Sequence, residues 1–366
     1  MRVLLHQHQH DACATMSGLI AYCRQGFEPE LAAELRDRAV LLGIAGDIHA
    51  QRNHGFVLLR CDPLHVDTLL QQLHWRRLIF ARQTLRLHAE LKTLNSRDRI
   101  APILAALPKT PCFGDLWIEY PDSDMGKPLA GLARSFGNAL RPVLRSAGRL
   151  SAQLHPQWPR LHVCFLSGDH VLLGSTRSVD SAPWQLGIPR LKLLPEAPSR
   201  SALKLEEALI TLLTSNEREA KLRPGMRATD LGAAPGGWTW VLIRQHLRVT
   251  SIDNAVLRPS LLNHPLVQHV RADGFRWTPP RPMDWMVCDM VEQPRRVAER
   301  MAVWLREGWC RHMIFNLKLP MKKRWDETRL CLERFETQAV VPLTLRAKQL
   351  YHDREEITVY ASNNAR

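Results

Sequence analysis

Asp289 follows the apolar run 285–288, Lys318 follows the run 313–317, and Glu355 and Glu356 precede the run 357–361. Lys204 stands near the start of a helical stretch that opens at Ser201. Each apolar run reads as a buried strand, and in an open α/β sheet ligands sit at the carboxyl ends of the strands, so these side chains converge on one cleft. Two lysines and two carboxylates in a cleft suit the deprotonation of an unactivated alcohol such as a ribose 2′-hydroxyl: a neutral amine takes the proton while the carboxylates hold and orient the ammonium groups. Lys318 is the expected proton acceptor. For that role its pKa must fall from about 10.4, through burial and the charge of Lys204. Lys204 is expected on the helix face opposite Glu207. Taken singly, each of these groups is more often a structural ion-pair partner.

What the alcohol would attack is suggested by Asp230-Leu231-Gly232-Ala233-Ala234-Pro235-Gly236-Gly237-Trp238, a strand-to-helix turn of the kind that wraps S-adenosylmethionine. Its three glycines permit positive φ and let backbone approach a ligand closely. The spacing is not that of a dinucleotide fold, and no Lys-Ser/Thr follows to cradle a phosphate. Two acids stand where a nucleoside needs them. Asp253 ends the expected strand 249–253, about 20 residues past the first glycine, the spacing at which ribose hydroxyls are held. Asp273, ending the expected strand 267–272, is placed to accept from an adenine amino group. Either one read alone is equally a turn aspartate or a helix cap.

At 366 residues, 45% of them hydrophobic, the chain has room for two or three domains with sizeable cores. No apolar run is long enough to span a bilayer. Its eight cysteines are scattered without a Cys-x-x-Cys pair, which argues against a zinc ribbon or a secreted disulfide framework and fits a reducing cytoplasm. No metal-ligand spacing is visible. Lys and Arg number 50 against 36 Asp and Glu, a formal charge of +14. The basic residues are spread along the chain, with denser patches at Arg76-Arg77, 141–149 and 322–324, as for a broad face that follows a folded polyanion.

The elements that must carry the cleft divide into two halves. Strands at 19–24, 55–60 and 78–87 with helices at 29–39 and 66–73 form a small α+β module. A second α+β module follows: helices at 98–107 and 128–147 and strands at 115–120, 160–166 and 170–174, the last two joined across Ser167-Gly168-Asp169. Residues 178–200, rich in Pro, Ser and Leu, read as a connector. Residues 1–15 read as a disordered leader, too short and polar for a signal peptide.

Together, Ser199-Arg200-x-x-x-Lys204-Leu205-x-Glu207, residues 230–238, Asp253, Asp273-Gly274-Phe275, Asp289-Met290, Lys318 and Arg354-x-Glu356 resemble the FtsJ-type RNA ribose 2′-O-methyltransferases and their Lys-Asp-Lys-Glu tetrad. The resemblance covers roughly residues 199–361. It implies a tetrad of Lys204, Asp289, Lys318 and Glu356, with strand register favouring Glu356 over Glu355. It implies S-adenosylmethionine lined by Ser201, Gly232, Ala234, Pro235, Gly236, Gly237, Asp253, Asp273 and Asp289. The whole chain is similar to the branch of that family that acts on a cytidine of 23S ribosomal RNA, whose N-terminal half is a ferredoxin-like piece and a THUMP RNA-binding domain. The segment Met290-Val291-Glu292-Gln293-Pro294 departs from the Met-Ala-Pro of the shorter FtsJ enzymes and favours that branch.

The expected fold is α/β: a Rossmann-like class I methyltransferase sheet at 199–366, preceded by a ferredoxin-like module at 16–90, a THUMP-like module at 91–178 and a linker at 179–198. The expected partner is 23S ribosomal RNA or an early large-subunit precursor, with no metal, no membrane and a monomeric chain. Two other readings stay open: a non-catalytic RNA-binding or assembly factor on this fold, and a methyltransferase for another RNA such as tRNA.

Overall fold

The computed structural model describes residues 17–110 and 112–364, so the expected leader at 1–15 lies outside the described residues. The chain forms two compact units. Of the described residues, one comprises 17–25, Arg36–His74 and those of 83–181, the other Gly26–Leu35, Trp75–Arg82 and 182–364. In chain order the first half gives β1 (Gly18–Tyr22), α1 (Glu28–Leu41), β2 (Gly46–Ala50), β3 (Phe56–Cys61), α2 (Val66–Gln72), β4 (Gln83–Leu91), α3 (Ile100–Ala106), β5 (Asp115–Glu119), α4 (Ala130–Ser146), β6 (Pro159–Ser167) and β7 (His170–Arg177). The second half gives α5 (Ala202–Leu212), α6 (Ser215–Lys221), β8 (Arg227–Leu231), α7 (Gly237–Arg244), β9 (Arg248–Ile252), α8 (Pro259–Leu262) and β10 (Val267–Val270). It ends with β11 (Met283–Cys288), α9 (Pro294–Arg306), β12 (Cys310–Lys318), α10 (Arg324–Ala339), β13 (Leu343–Lys348) and β14 (Glu356–Asn363).

The first unit holds a seven-stranded sheet in the order β2-β3-β1-β4-β7-β6-β5, antiparallel except for β5 beside β6. Both expected N-terminal modules contribute to it, because β4 pairs with β1 on one side and β7 on the other. In α4 the buried Ala133, Phe136, Leu140 and Leu144 recur at helical spacing, as an amphipathic face laid on a sheet requires. Phe165 of β6 is fully buried and meets Phe136 edge to face with ring centroids 5.0 Å apart.

The second unit holds a sheet in the order β10-β9-β8-β11-β12-β14-β13. Its first five strands are parallel, β14 runs antiparallel to β12, and β13, antiparallel to β14, runs in the same direction as the first five. Helices cover it through apolar stripes such as Val297, Met301 and Leu305 of α9, each fully buried. No described helix is long and apolar enough to cross a membrane.

Two of the departures from the sequence expectation concern where strands begin and end. The strand expected at 78–87 begins only at Gln83, because the backbone before it is bonded by side chains rather than by a ladder. Glu34 accepts from the N–H groups of Ile79 (2.7 Å) and Phe80 (3.0 Å), and buried Lys348 donates to the carbonyls of Trp75, Leu78 and Ala81. The strand expected at 267–272 stops at Val270. Replacing Phe165 with Ala is expected to cost about 3–5 kcal/mol, while Val40→Ala at an exposed site stays within about 0.5 kcal/mol; denaturant unfolding compares them, and equal effects would contradict the packing described.

Candidate active site

Strand order turns back between β8 and β11, since the chain runs outward from β8 to β9 and β10 and then returns to β8's other side. Such a reversal opens a crevice at the carboxyl ends of the two strands. Leu231 pairs with Cys288, so Gly232 and Asp289 leave the sheet side by side. Gly232 has φ +74°, and a Cβ there would lie 2.7 Å from Met290 Cγ. A Cβ on Gly274 would lie 2.8 Å from Met290 Sδ. The Met290 side chain thus lies across two glycines, a close approach only residues without Cβ allow.

Two cavities open at this point and share Gly232, Ala234 and Asp289. The larger, about 380 Å³, reaches Asp253, Asp273 and Phe275. The smaller, about 360 Å³, is bounded by Ser199, Ser201, Pro235 and Trp238. Both Asp253 oxygens accept backbone N–H groups, Oδ2 from Ala234 (2.9 Å) and Oδ1 from Ala255 (2.8 Å), which aims the carboxylate across the loop and leaves lone pairs for hydroxyl groups. Asp273 accepts from Phe275 N at 2.8 Å. Ser201 bonds Ser199 at 2.6 Å through the hydroxyls, and its carbonyl accepts from Trp238 Nε1 at 2.9 Å. A two-lobed cavity with a carboxylate midway, a second acid beside an aromatic ring and paired hydroxyls at the other end fits a nucleoside joined to an amino acid. Gly236 and Gly237 line neither cavity. Gly236, with φ +111°, turns the chain into α7, and a Cβ on Gly237 would fall 2.2 Å from Ser201 Oγ, so both shape the loop from behind.

The four ionised groups meet beside Asp289. Lys318 donates to Asp289 Oδ1 at 2.6 Å and to Glu356 Oε2. Lys204 lies 2.5 Å from Glu356 Oε1 and 3.3 Å from Asp289 Oδ2. Each lysine therefore touches both carboxylates, and each carboxylate touches both lysines. The choice between the two glutamates is made by register: Lys318 of β12 pairs directly with Glu356 of β14, while Glu355 turns to Arg324 at 2.8 Å. Lys204 and Glu207 do not face opposite ways. Three residues apart on a helix are neighbours, and Glu207 accepts from the N–H groups of Tyr351 (2.8 Å) and His352 (2.9 Å), in the loop that delivers Glu356.

The electrostatics correct one expectation. Burial alone pushes the Lys318 ammonium down, but the adjoining Asp289 and Glu356 carboxylates outweigh it and hold the pKa above the ordinary lysine value. Burial pushes Asp289 up, and Lys204 and Lys318 overcome that and keep it below the usual carboxylate range. In this arrangement Lys318 holds its proton. Beneath the loop, burial raises Asp230 to about 7, Asp289 and Asp253 adding to the shift and hydrogen bonds from Thr239 opposing it. Among the described residues no group of three or more His, Cys, Asp or Glu is arranged to hold a metal ion.

The sequence reading passed over Asn316, whose Nδ2 donates to Asp289 Oδ1 at 2.9 Å. Its signal was present: a lone amide in an apolar run, two residues before Lys318 and so on the same face of the strand.

Three stretches of the chain match family models. Residues 16–85 match the RlmM ferredoxin-like domain, residues 98–177 the N-terminal region of ribosomal RNA large subunit methyltransferase M, and residues 197–340 the FtsJ-like methyltransferase. A Xylella fastidiosa (strain M12) protein named ribosomal RNA large subunit methyltransferase M is 98% identical over 351 residues, covering 96% of this chain and 100% of its own length. One of the same name from Xanthomonas campestris pv. campestris (strain B100) is 71% identical over 346 residues, covering 94% and 99%. Another, from Xanthomonas oryzae pv. oryzae (strain KACC10331 / KXO85), is 70% identical with the same coverage.

Because the folded state holds the Asp230 proton more tightly than the unfolded chain, stability falls as pH rises from about 4 to about 7. Asp230→Asn has no such proton to lose. Thermal unfolding across that window is expected to show a falling midpoint for the wild type relative to the variant; parallel curves would refute a buried neutral Asp230.

Proposed function

The chain belongs to the family of ribosomal RNA large subunit methyltransferase M, and from that membership we propose that it methylates the ribose 2′-oxygen of a cytidine in 23S ribosomal RNA. The observation that carries this reading is the mutual contact of Lys204, Asp289, Lys318 and Glu356 at the mouth of a nucleoside-shaped cavity. S-adenosylmethionine, when bound, supplies an electrophilic methyl group. Asp253 holds the ribose of that donor, Asp273 its adenine, and the backbone from Gly232 to Pro235 with Ser201 the remainder.

Lys318 accepts the proton of the 2′-hydroxyl at Nζ, and so must enter the step as the free amine. Burial favours that form, whereas Asp289 and Glu356 oppose it. Any cation admitted beside Asp289 weakens the carboxylate's hold on the Lys318 proton. Asp289 and Glu356 keep both amines aimed at one point, and alignment of this kind can supply roughly 7–11 kcal/mol of barrier reduction.

We assign residues 16–90 to a ferredoxin-like module, 91–178 to a THUMP-like RNA-binding module, 179–198 to a linker and 199–366 to the methyltransferase domain. The formal charge of +14 suits a folded RNA, held by phosphate and shape contacts. We place the enzyme in the cytoplasm as a monomer acting on protein-free 23S RNA or an early precursor.

Transfer of labelled methyl to protein-free 23S RNA, followed by nucleoside analysis, is expected to yield 2′-O-methylcytidine. Label on tRNA alone would move the acceptor, and no label despite donor binding would favour a non-catalytic assembly role. Lys318→Ala is expected to lower kcat by about 10²–10⁴-fold with donor affinity kept, and the wild-type rate to rise with pH as Lys318 sheds its proton; full activity in the variant would overturn the assignment.

A further inference from the structure

Behind the tetrad, a chain of hydrogen bonds runs from Asp289 into the protein. Asn316 Nδ2 donates to Asp289 Oδ1 (2.9 Å), Thr358 Oγ1 lies 2.7 Å from Asn316 Oδ1, and Asp353 Oδ2 lies 3.0 Å from Thr358 Oγ1. Asn316 and Thr358 are fully buried and Asp353 is 1% exposed. The direction of the chain is set at its Asp289 end. Gripped by two lysines, Asp289 is a carboxylate and can only accept. The Asn316 atom facing it must therefore be the amide nitrogen, and the atom facing Thr358 the carbonyl oxygen. A carbonyl also only accepts, so the single hydroxyl hydrogen of Thr358 goes to it. Thr358 can then bond Asp353 only by accepting, and an ionised carboxylate has no hydrogen to donate.

We propose that Asp353 is held as the neutral carboxylic acid and acts as a positioning residue for methyl transfer: through Thr358 it keeps the Asn316 amide on Asp289, the carboxylate that grips both lysines. This rests on the tetrad reading given above. Leu350 N donates to the same Asp353 oxygen at 3.0 Å, as a hydroxyl oxygen that both donates and accepts allows. Among the charged groups facing Asp353 are Glu356 of β14 and Glu207 and Lys204 of α5, with His352 adjoining in the same loop and bonded to Glu207. Burial pushes Asp353 upward and Glu356 and, more weakly, Glu207 push the same way, while the hydrogen bond from Leu350 N–H and the Lys204 charge oppose them. Neutrality here has a catalytic consequence. The four tetrad charges sum to zero, and a further carboxylate would strengthen the hold on the Lys318 proton and make Lys318 a poorer acceptor.

The test compares Asp353→Asn, which keeps a donor and cannot ionise, with Asp353→Ala, which has neither property. Asp353→Asn is expected to keep kcat within about threefold at neutral pH and to gain rate more steeply with pH than the wild type, whose Asp353 ionises and tightens the hold on the Lys318 proton. Asp353→Ala and Thr358→Val are each expected to lose about tenfold or more in kcat, the scale of one buried hydrogen bond, with KM for 23S RNA and donor affinity unchanged. Thr358→Ser, which restores the hydroxyl, is expected to recover the rate. The Thr358 pair carries the test if Asp353→Ala does not fold. An Asp353→Asn variant as slow as Asp353→Ala, or wild-type kcat in both Asp353→Ala and Thr358→Val, would overturn the proposal. Carbon-13 NMR of aspartate-labelled protein, with Asp353→Asn identifying the signal, is expected to show a protonated carboxyl at neutral pH; an ionised one sinks the proposal whatever the activity. Lys318→Ala in the same assays separates the two ideas, since activity there would remove the tetrad reading while the carboxyl signal still decides the state of Asp353.

Discussion

Four charges gathered in a half-buried cleft must largely cancel, and the ends of the second sheet are arranged around that requirement. A lone buried ion costs several kcal/mol, and removing one member of a buried pair typically costs about 3–5 kcal/mol because its partner is stranded. Lys204, Asp289, Lys318 and Glu356 come from four separate elements, α5, the end of β11, β12 and β14. None can be displaced without leaving another uncompensated. The cluster is thus a constraint that holds the ends of these elements together. The same neutrality accounts for its main chemical difficulty: the carboxylates that orient Lys318 also hold its proton.

Pairing in the sheet sets the geometry of this cluster. Adjacent parallel strands β8 and β11 end together, which puts Gly232 beside Asp289, and the antiparallel return of β14 along β12 puts Glu356 opposite Lys318. A slip of one residue in that register would turn Glu356 to the other face and bring Glu355 into its place. The glycines at 232 and 274 then let Met290 lie flat between the two sides of the crevice.

Much of this was legible from residue types. Apolar runs capped by Asp289 and Lys318 and the turn from Asp230 to Trp238 marked the strand ends, because period and glycine placement are local signals. The charge state of Lys318 is not legible in the sequence, since it depends on how closely two carboxylates approach, a distance no local pattern carries. Lys204 and Glu207 were set on opposite faces where helical spacing makes them neighbours. Strand β4 was begun too early because residues 78–82 are as apolar as a strand, and their true partners, Glu34 and Lys348, are remote in sequence. Helices α6, α8 and α10 and strands β2 and β13 carry weak patterns beside those of the cleft strands, whereas the apolar stripe of α9 at 297, 301 and 305 is a clear helical signal in the sequence. The single sheet shared by the two N-terminal modules was hidden for the same reason: the β4–β7 pairing is long-range.

The bonds from Lys348 to the 75–82 segment span 267 to 273 residues of sequence. During synthesis that segment emerges long before its clasp, and its carbonyls must wait, bonded to water or to other partners, until β13 is complete. The last quarter of the chain therefore closes a structure begun in its first quarter. Any ribosome pause, truncation or early proteolytic cut upstream of Lys348 leaves both an unclasped segment at 75–82 and a sheet without its β13–β14 pairing.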